Sequence, residues 1–198
     1  MTGRFTRPLF WLALALPALV LLADFWRGAA LAMDLLHPSG ELSVRLMIAA
    51  MLAGPMAGIF GPNRFFRGWL AMRRNLGVAA FGYAVLHLIF YAADMGLLAA
   101  MLDELALPSI WTGWLALALM AVPAALSRDA AMLALGRRAW KAAQRLVYPS
   151  LLLALAHWLL LGWQWLPAAL HLAPLALAWL ALLILRFNRN PSKRSMTR

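Results

Sequence analysis

Long apolar stretches separated by short polar segments follow one another along the whole chain. Six of these stretches are near the length of a membrane span and lie at residues 9–26, 44–60, 76–93, 111–126, 146–163 and 166–185. A helix needs about 20 apolar residues to cross a bilayer core of about 30 Å, and no stretch alternates with the period of two that a barrel strand needs. The pattern predicts an all-α bundle of six transmembrane helices, with Gln164 and Trp165 forming a tight turn between the last two.

Composition supports the membrane interpretation and excludes several other classes. Of the 198 residues, 65% are hydrophobic and 13% are charged, with a mean hydropathy of +0.77, whereas a soluble domain is about half apolar and about a quarter charged. These values exclude a soluble enzyme, a disordered chain and a nucleic-acid-binding domain. The lack of cysteine excludes disulfides, thiolate metal sites, iron–sulfur clusters and a cysteine nucleophile. We expect a single transmembrane domain over residues 1–198, with a basic, disordered tail at about 187–198.

Charged residues are distributed asymmetrically across the predicted spans. If the N-terminus is inside, all 18 Lys and Arg residues except Arg27 and Arg45 lie in inner segments, and all seven Asp and Glu residues except Asp129 lie outside. Basic residues accumulate on the cytoplasmic side of membrane proteins, so this distribution predicts that both termini are inside. The net charge of +11 then follows from topology, with some attraction to anionic membrane lipid, and does not indicate nucleic-acid binding.

Two parts of the chain allow a second interpretation. Arg4, Arg7 and the apolar run up to Ala30 resemble a signal peptide, but the run is longer than the apolar region of such peptides, so we interpret it as the first span. The inner loops at 61–75 and 128–145 mix arginines with Phe and Trp. We interpret them as interfacial anchors, with a dedicated binding surface as the alternative.

Two of the four histidines, His87 and His157, lie deep within predicted spans, where ionisable side chains are costly and are functional candidates. His87 lies 13 positions after Arg74, and His157 lies 12 positions after Arg145. At 1.5 Å per residue, these offsets place the two histidines about 20 and about 18 Å from the inner surface. Imidazoles at matched depth on two helices can bind the two faces of a haem iron, with the porphyrin between the helices. The alternative is two structural histidines that hydrogen-bond to carbonyl groups across the bundle.

The other two histidines belong to the outer side. His37 precedes the second predicted span in the segment His37-Pro38-Ser39-Gly40, where it could begin the helix with Ser39 as the N-cap. His171 lies early in the sixth span and is a candidate to contact a neighbouring helix, a haem propionate or a quinone. No carboxylate or third ligand has the spacing of a metal site formed by His37 and His171.

Several short motifs, by their order and spacing, resemble the ferric-reductase-like transmembrane family, and within it the haem-binding membrane subunits of periplasmic methionine-sulfoxide reductase systems. The resemblance extends from about His37 to Trp163. It rests on these pieces: His37-Pro38-Ser39-Gly40, Arg73-Arg74-Asn75-Leu76-Gly77, Leu86-His87-Leu88 with Tyr91, Leu135-Gly136-Arg137-Arg138-Ala139-Trp140, and Arg145-Leu146-Val147-Tyr148 leading to His157-Trp158.

The resemblance implies that His87 and His157 are the axial ligands of a haem b, in the inner membrane of a bacterium. It also implies a partner, a periplasmic molybdenum-cofactor reductase that repairs oxidised methionines while this chain conducts electrons. The electron donor would be quinol, or a flavin such as FMN that is reduced by a flavin reductase on the cytoplasmic side. Arg73 and Arg74 are candidate inner cofactor contacts.

One position departs from the family pattern. Members usually carry a further histidine 13 residues before the later ligand, and here that residue is Gln144. Neither Gln144 nor Arg74, at the analogous position of the third span, can serve as a good haem ligand. We therefore expect one haem, near the outer face, and we favour quinol as the donor. Two other functions stay open: a related protein that reduces ferric ion or another outer acceptor, and a haem-free scaffold or transporter. The repeats and polar broken helices of transporters are not recognisable in the sequence.

Overall fold

The computed structural model describes residues 3–162 and 165–188, with side chains from residue 8 onward. Within these ranges the chain is helical and contains no strand, so the all-α prediction is confirmed there. The helices are α1 (Gly3–Trp26), α2 (Ala32–Phe60), α3 (Arg64–Met95), α4 (Leu98–Asp103), α5 (Pro108–Ala125), α6 (Asp129–Gln144), α7 (Val147–Leu160) and α8 (Trp165–Asn188), with a 3-10 turn at Glu104–Ala106 after α4.

Among the described residues, five helices are long and apolar enough to cross a membrane, namely α1 from Pro8, α2, α3, α5 and α8. The fifth predicted span contains α7, which has 14 residues. At 1.5 Å per residue α7 is about 21 Å long, shorter than a bilayer core of about 30 Å. It follows α6 through Arg145 and Leu146, whose carbonyl groups accept hydrogen bonds from the backbone N–H groups of Tyr148 and Ser150. Helical hydrogen bonding therefore extends beyond the N-terminal end of α7.

Two features predicted from the sequence fall partly outside the described residues. The tight turn at Gln164 and Trp165 includes Gln164, which lies outside them, whereas Trp165 begins α8. The tail expected at about 187–198 also lies outside them after Asn188, the last residue of α8.

The inner end of α3 differs from the prediction. The helix begins at Arg64 and runs for 32 residues, so most of the expected inner loop at 61–75 is helical. The side chain of Asn63 caps this end, because its Oδ1 accepts a hydrogen bond from the backbone N–H of Phe66 at 3.0 Å. A capped helix satisfies its first backbone donors without apolar side chains, and the polar residues therefore continue the span as helix.

The N-terminal part of α2 also differs from the prediction, since α2 begins at Ala32 and includes His37 and Ser39 in its first turns. Ser39 is not an N-cap. It is buried, and its Oγ donates to the carbonyl groups of Leu35 at 2.6 Å and Leu36 at 3.0 Å within the same helix. The cap at this end is Leu31, whose backbone N–H donates to the carboxylate of Asp34 at 3.0 Å.

The core lies between α2, α3, α5 and α7. α2 packs along α3, α5 packs along α7, and α8 packs against α2. Core side chains come from all four central helices: Met47, Ala80, Met120 and Leu151. Large apolar side chains are exposed on the outside of the bundle, as expected for helices that face lipid: Leu12, Ile89, Leu152, Leu177 and Ile184 are examples.

Candidate functional site

A cavity of about 420 Å³ opens between α2, α3, α5 and α7. Its volume lies in the range of about 300–1,000 Å³ that is usual for small-molecule and cofactor sites. Most of the lining is apolar, and both His87 of α3 and His157 of α7 line the cavity. The two helices thus bring together the histidines that the sequence places at matched depth.

The rings of His87 and His157 lie with their centroids 6.1 Å apart and their planes at 87° to one another. A metal ion bound between two imidazoles needs a bond of about 2 Å to each nitrogen, and each ring centre lies about 1 Å further away, so the expected separation of centroids is about 6 Å. The separation in this structure therefore matches a pair of axial ligands.

The same nitrogen of each ring is engaged by a neighbouring helix. His87 Nδ1 donates to the carbonyl oxygen of Leu36 at 2.8 Å, and His157 Nδ1 donates to the carbonyl oxygen of Ser109. A carbonyl oxygen can only accept, so both Nδ1 atoms carry the proton and both Nε2 atoms keep a free lone pair. Histidines that bind metals typically donate the other ring N–H to such a carbonyl group. Each ring is thereby oriented, and its Nε2 is available as a ligand.

Buried hydroxyl side chains link the two histidine-bearing helices to the helices beside them. The buried polar side chains of the described ranges are Ser39, Ser43, Thr112 and Ser150. Ser43 Oγ donates to the Ala80 carbonyl across α2 and α3 at 2.8 Å. Across α5 and α7, Ser150 Oγ donates to the Ala116 carbonyl, also at 2.8 Å. Each histidine-bearing helix is therefore tied to its partner helix by one hydroxyl bond.

The chemistry of the donor set fits a haem better than a metal ion held by protein ligands alone. Among the described residues no group of three or more His, Cys, Asp or Glu side chains could hold a metal ion. A protein-bound metal usually needs at least three such ligands, whereas a haem supplies four nitrogens of its own and needs axial ligands on its two faces. Two imidazoles in an apolar cavity meet that need.

An ion-pair network lies at one edge of the cavity, on the side that the charge distribution predicts to be outside. Arg45 of α2 donates from Nη2 to Glu41 Oε1 at 2.6 Å and from Nε to His171 Nε2 at 2.8 Å. His171 Nε2 also lies 3.2 Å from Glu41 Oε1, and His171 Nδ1 contacts the Pro167 carbonyl at 2.6 Å. Glu41 lines the cavity and His171 does not, so His171 is held to the site by α2.

The ring of Trp158 connects the network to the second histidine helix. It packs against the ring of His37, with centroids 5.4 Å apart, and against that of His171, at 5.7 Å. His37 lines the cavity together with Trp158 and lies 3.9 Å from Glu41 Oε2 through its Nε2. The structure thus places His37 in the wall of the cavity, within α2, rather than at the start of a helix.

The candidate inner residues do not line the cavity. Arg74 is paired with Asp129 at 2.8 Å, and Arg73, one position earlier, is exposed. Gln144 donates from Nε2 to the Pro123 carbonyl at 3.1 Å. The cavity includes none of these residues, so the structure separates them from the two histidines.

The carbonyl groups of Leu36 and Ser109 are contacts of the two histidine rings that the sequence analysis did not identify. Backbone groups carry no residue-type signal, and their roles depend on which helices pair. One signal was available, a hydroxyl residue followed by glycine one turn after each carbonyl: Ser39-Gly40 and Thr112-Gly113.

Comparison with known proteins gives consistent matches. Residues 39–155 match the family described as ferric reductase like transmembrane component; this stretch contains His87 and ends just before His157. The chain is 35% identical over 164 residues to the protein-methionine-sulfoxide reductase heme-binding subunit MsrQ of Caulobacter vibrioides, covering 77% of this chain and 74% of that protein. It is 32% identical over 192 residues to the MsrQ of Pectobacterium carotovorum, covering 91% of this chain and 85% of the relative.

Proposed function

The chain belongs to the ferric reductase like transmembrane family, together with the MsrQ subunits that it resembles, and from that premise we propose that it is a haem b-binding electron-transfer subunit of a methionine-sulfoxide reductase system. Electrons would pass to a periplasmic molybdenum-cofactor reductase, and the sulfoxide chemistry would take place in that partner. The catalytic step is thus assigned to the partner, while this chain conducts.

The single observation that carries the proposal is the pair of oriented imidazoles. The ring centroids of His87 and His157 lie 6.1 Å apart, and each ring is oriented by a hydrogen bond from its Nδ1 to a backbone carbonyl group. His87 and His157 would hold a haem through their Nε2 atoms, and the haem would supply one-electron transfer there. The chain's own part is to hold the two rings apart at the ligand distance and to keep the site apolar.

The position of the cavity supports delivery to an outer partner. Its lining includes the acidic residues Glu41, Asp94 and Glu104 and none of the lysines or arginines whose side chains the structure describes. Since basic residues mark the cytoplasmic side, the cavity lies toward the opposite, periplasmic side. Reduction of one methionine sulfoxide requires two electrons, so the chain must deliver a single electron twice for each repair.

A six-span topology with both termini inside completes the proposal. α7 would serve as the fifth span, because the hydrogen bonds at Arg145 and Leu146 prolong it inward. The basic residues Arg64 and Arg67 begin α3, and the acidic residue Asp94 lies at its other end. In a bacterium this orientation corresponds to the inner membrane, with the cavity on the periplasmic side.

Quinol is the donor that the geometry supports best. Arg73 and Arg74, the candidate contacts for an inner cofactor such as FMN, lie 13–14 residues before His87 on one continuous helix, which at 1.5 Å per residue corresponds to about 20 Å. Electrons from a flavin at that inner end would have to cross most of this distance, whereas a quinol within the bilayer can approach the cavity directly. His171, at the network beside Glu41, is a candidate quinone contact.

Haem retention in histidine variants tests the proposal. His87→Ala and His157→Ala should each lower haem content by at least about tenfold, since weaker changes around metal ligands already cost about 10–100-fold in affinity. His171→Ala is the matched control, because His171 does not line the cavity, and its haem content should stay near that of the parent protein. Full haem content in both ligand variants would overturn the assignment of His87 and His157 as ligands, whereas a parent protein that binds no haem would leave a haem-free scaffold or transporter as the function.

A further inference from the structure

Two glycines lie directly against the two histidine rings. A Cβ atom added to Gly40 of α2 would lie 3.1 Å from His87 Nδ1. A Cβ atom added to Gly113 of α5 would lie 2.8 Å from His157 Nδ1 and 2.9 Å from its Cε1. Separations below 3.0 Å are not tolerated without movement of one group. Both rings therefore occupy space that any other residue at these two positions would fill.

The glycines are related to the carbonyl groups that accept from the rings. Gly40 follows Leu36 by four residues, and Gly113 follows Ser109 by four residues. Residues four apart in a helix lie one above the other on the same face. A ring that hydrogen-bonds to the carbonyl group of the earlier residue must therefore pass over the later one. A side chain at that position would push the ring away from its acceptor.

The residue before each glycine is a buried hydroxyl residue that bonds within its own helix. Ser39 Oγ donates to the carbonyl groups of Leu35 and Leu36. Thr112 Oγ1 donates to those of Pro108, at 2.7 Å, and Ser109, at 2.9 Å. The two helices thus present the same arrangement to their histidines. We name residues 36–40 of α2 and 109–113 of α5 the histidine-contact segments.

We propose that Gly40 and Gly113 are positioning residues, which let each histidine ring lie on its histidine-contact segment with Nδ1 on the carbonyl group and Nε2 directed at the other ring. The inference rests on the proposed haem ligation and extends it to residues that do not touch the iron. The haem site then consists of two copies of one structural unit, each made of a histidine on one helix and a hydroxyl–glycine pair on the next.

The test compares alanine at the two contact glycines with alanine at two glycines in the same bundle. Gly54 of α2 and Gly77 of α3 have nothing within 4 Å of an added Cβ atom, so Gly54→Ala and Gly77→Ala are the matched controls. Haem content, the midpoint potential and the electron paramagnetic resonance signal of the ferric protein are measured on the purified full chain. That signal depends on the angle between the two ligand planes and thus reports ring orientation directly.

Gly113→Ala should lower haem retention by about 10–100-fold, the loss typical of removing an orienting contact from a metal ligand. Gly40→Ala, whose added atom is less crowded, should retain more haem but shift the resonance signal and the midpoint potential. Both controls should match the parent protein. If Gly113→Ala does not yield folded protein, the resonance signal of Gly40→Ala tests the proposal on its own.

An unchanged signal and potential in Gly40→Ala, or normal haem content in a folded Gly113→Ala, would overturn the role of the glycines. Those results would leave the proposed function intact provided that His87→Ala and His157→Ala lose haem. The two proposals can therefore fail separately.

Discussion

In the helix pair α2–α3 and in the pair α5–α7, a histidine ring makes the same contacts with the neighbouring helix, whereas the rest of the two pairs differs. In each pair, one helix carries the histidine and the other carries a carbonyl group, a hydroxyl residue and a glycine in that order, at 36–40 and 109–113. Outside these segments the pairs diverge, since α2 and α3 have 29 and 32 residues while α5 and α7 have 18 and 14. Both pairs share the segment that lies against the histidine ring although their helices differ in length, which indicates that ring placement is a common constraint.

One hydroxyl hydrogen bond joins the two helices of each pair, and the helices that supply its donor and its acceptor are exchanged between the pairs. In the first pair the donor is Ser43, on the glycine-bearing helix, and its acceptor is the Ala80 carbonyl group on α3. In the second pair the donor is Ser150, on the histidine-bearing helix, and its acceptor is the Ala116 carbonyl group on α5. Ala80 and Ser150 each lie seven residues before a histidine. The hydrogen bond therefore lies at the same position in both pairs, but its donor is on the glycine-bearing helix in the first pair and on the histidine-bearing helix in the second.

The largest effect in this comparison is expected from removing these bonds. Ser43→Ala and Ser150→Ala should each lower the free energy of unfolding by about 1 kcal/mol, the usual net value of one hydrogen bond, despite their opposite directions. The double variant should lose about the sum, since the two bonds share no partner. Denaturant unfolding followed by tryptophan fluorescence measures this. A loss confined to one variant would show that the two pairs are not equivalent.

A smaller effect is expected from removing the charged side chains that follow the histidine-contact segment of one pair only. Glu41 and Arg45 follow the first histidine-contact segment, whereas the corresponding residues of α5 are Trp114 and Ala118. Ferric haem is stabilised by nearby negative charge, so Glu41→Gln should raise the midpoint potential and Arg45→Gln should lower it, each on the order of tens of millivolts.

Trp114→Phe is the control for this pair of variants, because it changes no charge, and its midpoint potential should stay close to that of the parent protein. Shifts of the same sign in Glu41→Gln and Arg45→Gln would contradict an electrostatic origin and would indicate a structural change at the Arg45–Glu41–His171 network.

The smallest effect is expected at the inner ends of the two pairs. Gln144→His introduces a histidine at the position where the family resemblance leads us to expect one, yet the cavity does not reach it, and Arg74, its counterpart in the first pair, is engaged by Asp129. Haem content measured by the pyridine haemochrome method should therefore stay unchanged. A second haem in this variant would show that the inner pocket is intact and lacks only its ligand.

Part of the site could be predicted from the sequence alone. Counting from the inner arginines to His87 and His157 gives nearly equal depths, and the structure brings the rings to 6.1 Å, because a regular rise per residue converts sequence distance into depth. The haem ligation itself stays a prediction. The number and the ends of the spans are harder to predict from the sequence, since α7 has only 14 residues and α3 includes polar residues at its N-terminal end.

The contacts that hold the rings could not be predicted in the same way. His87 lies 51 residues from Leu36, and His157 lies 48 residues from Ser109, so the acceptors depend on which helices pair and in which register. The internal similarity between the two helix pairs also escaped the sequence analysis. It consists of a hydroxyl–glycine pair and a histidine in helices of different length, and the residues between these positions differ between the two pairs.

The reduced-minus-oxidised absorption spectrum of the purified protein, with haem counted per chain, is the most direct test of a single site between two oriented histidines. One haem per chain with the sharp bands of a low-spin b-type centre is the expected result, since the proposal assigns one imidazole to each face of the haem. A chain that contains no haem, two haems, or a high-spin haem with one axial position open would contradict it.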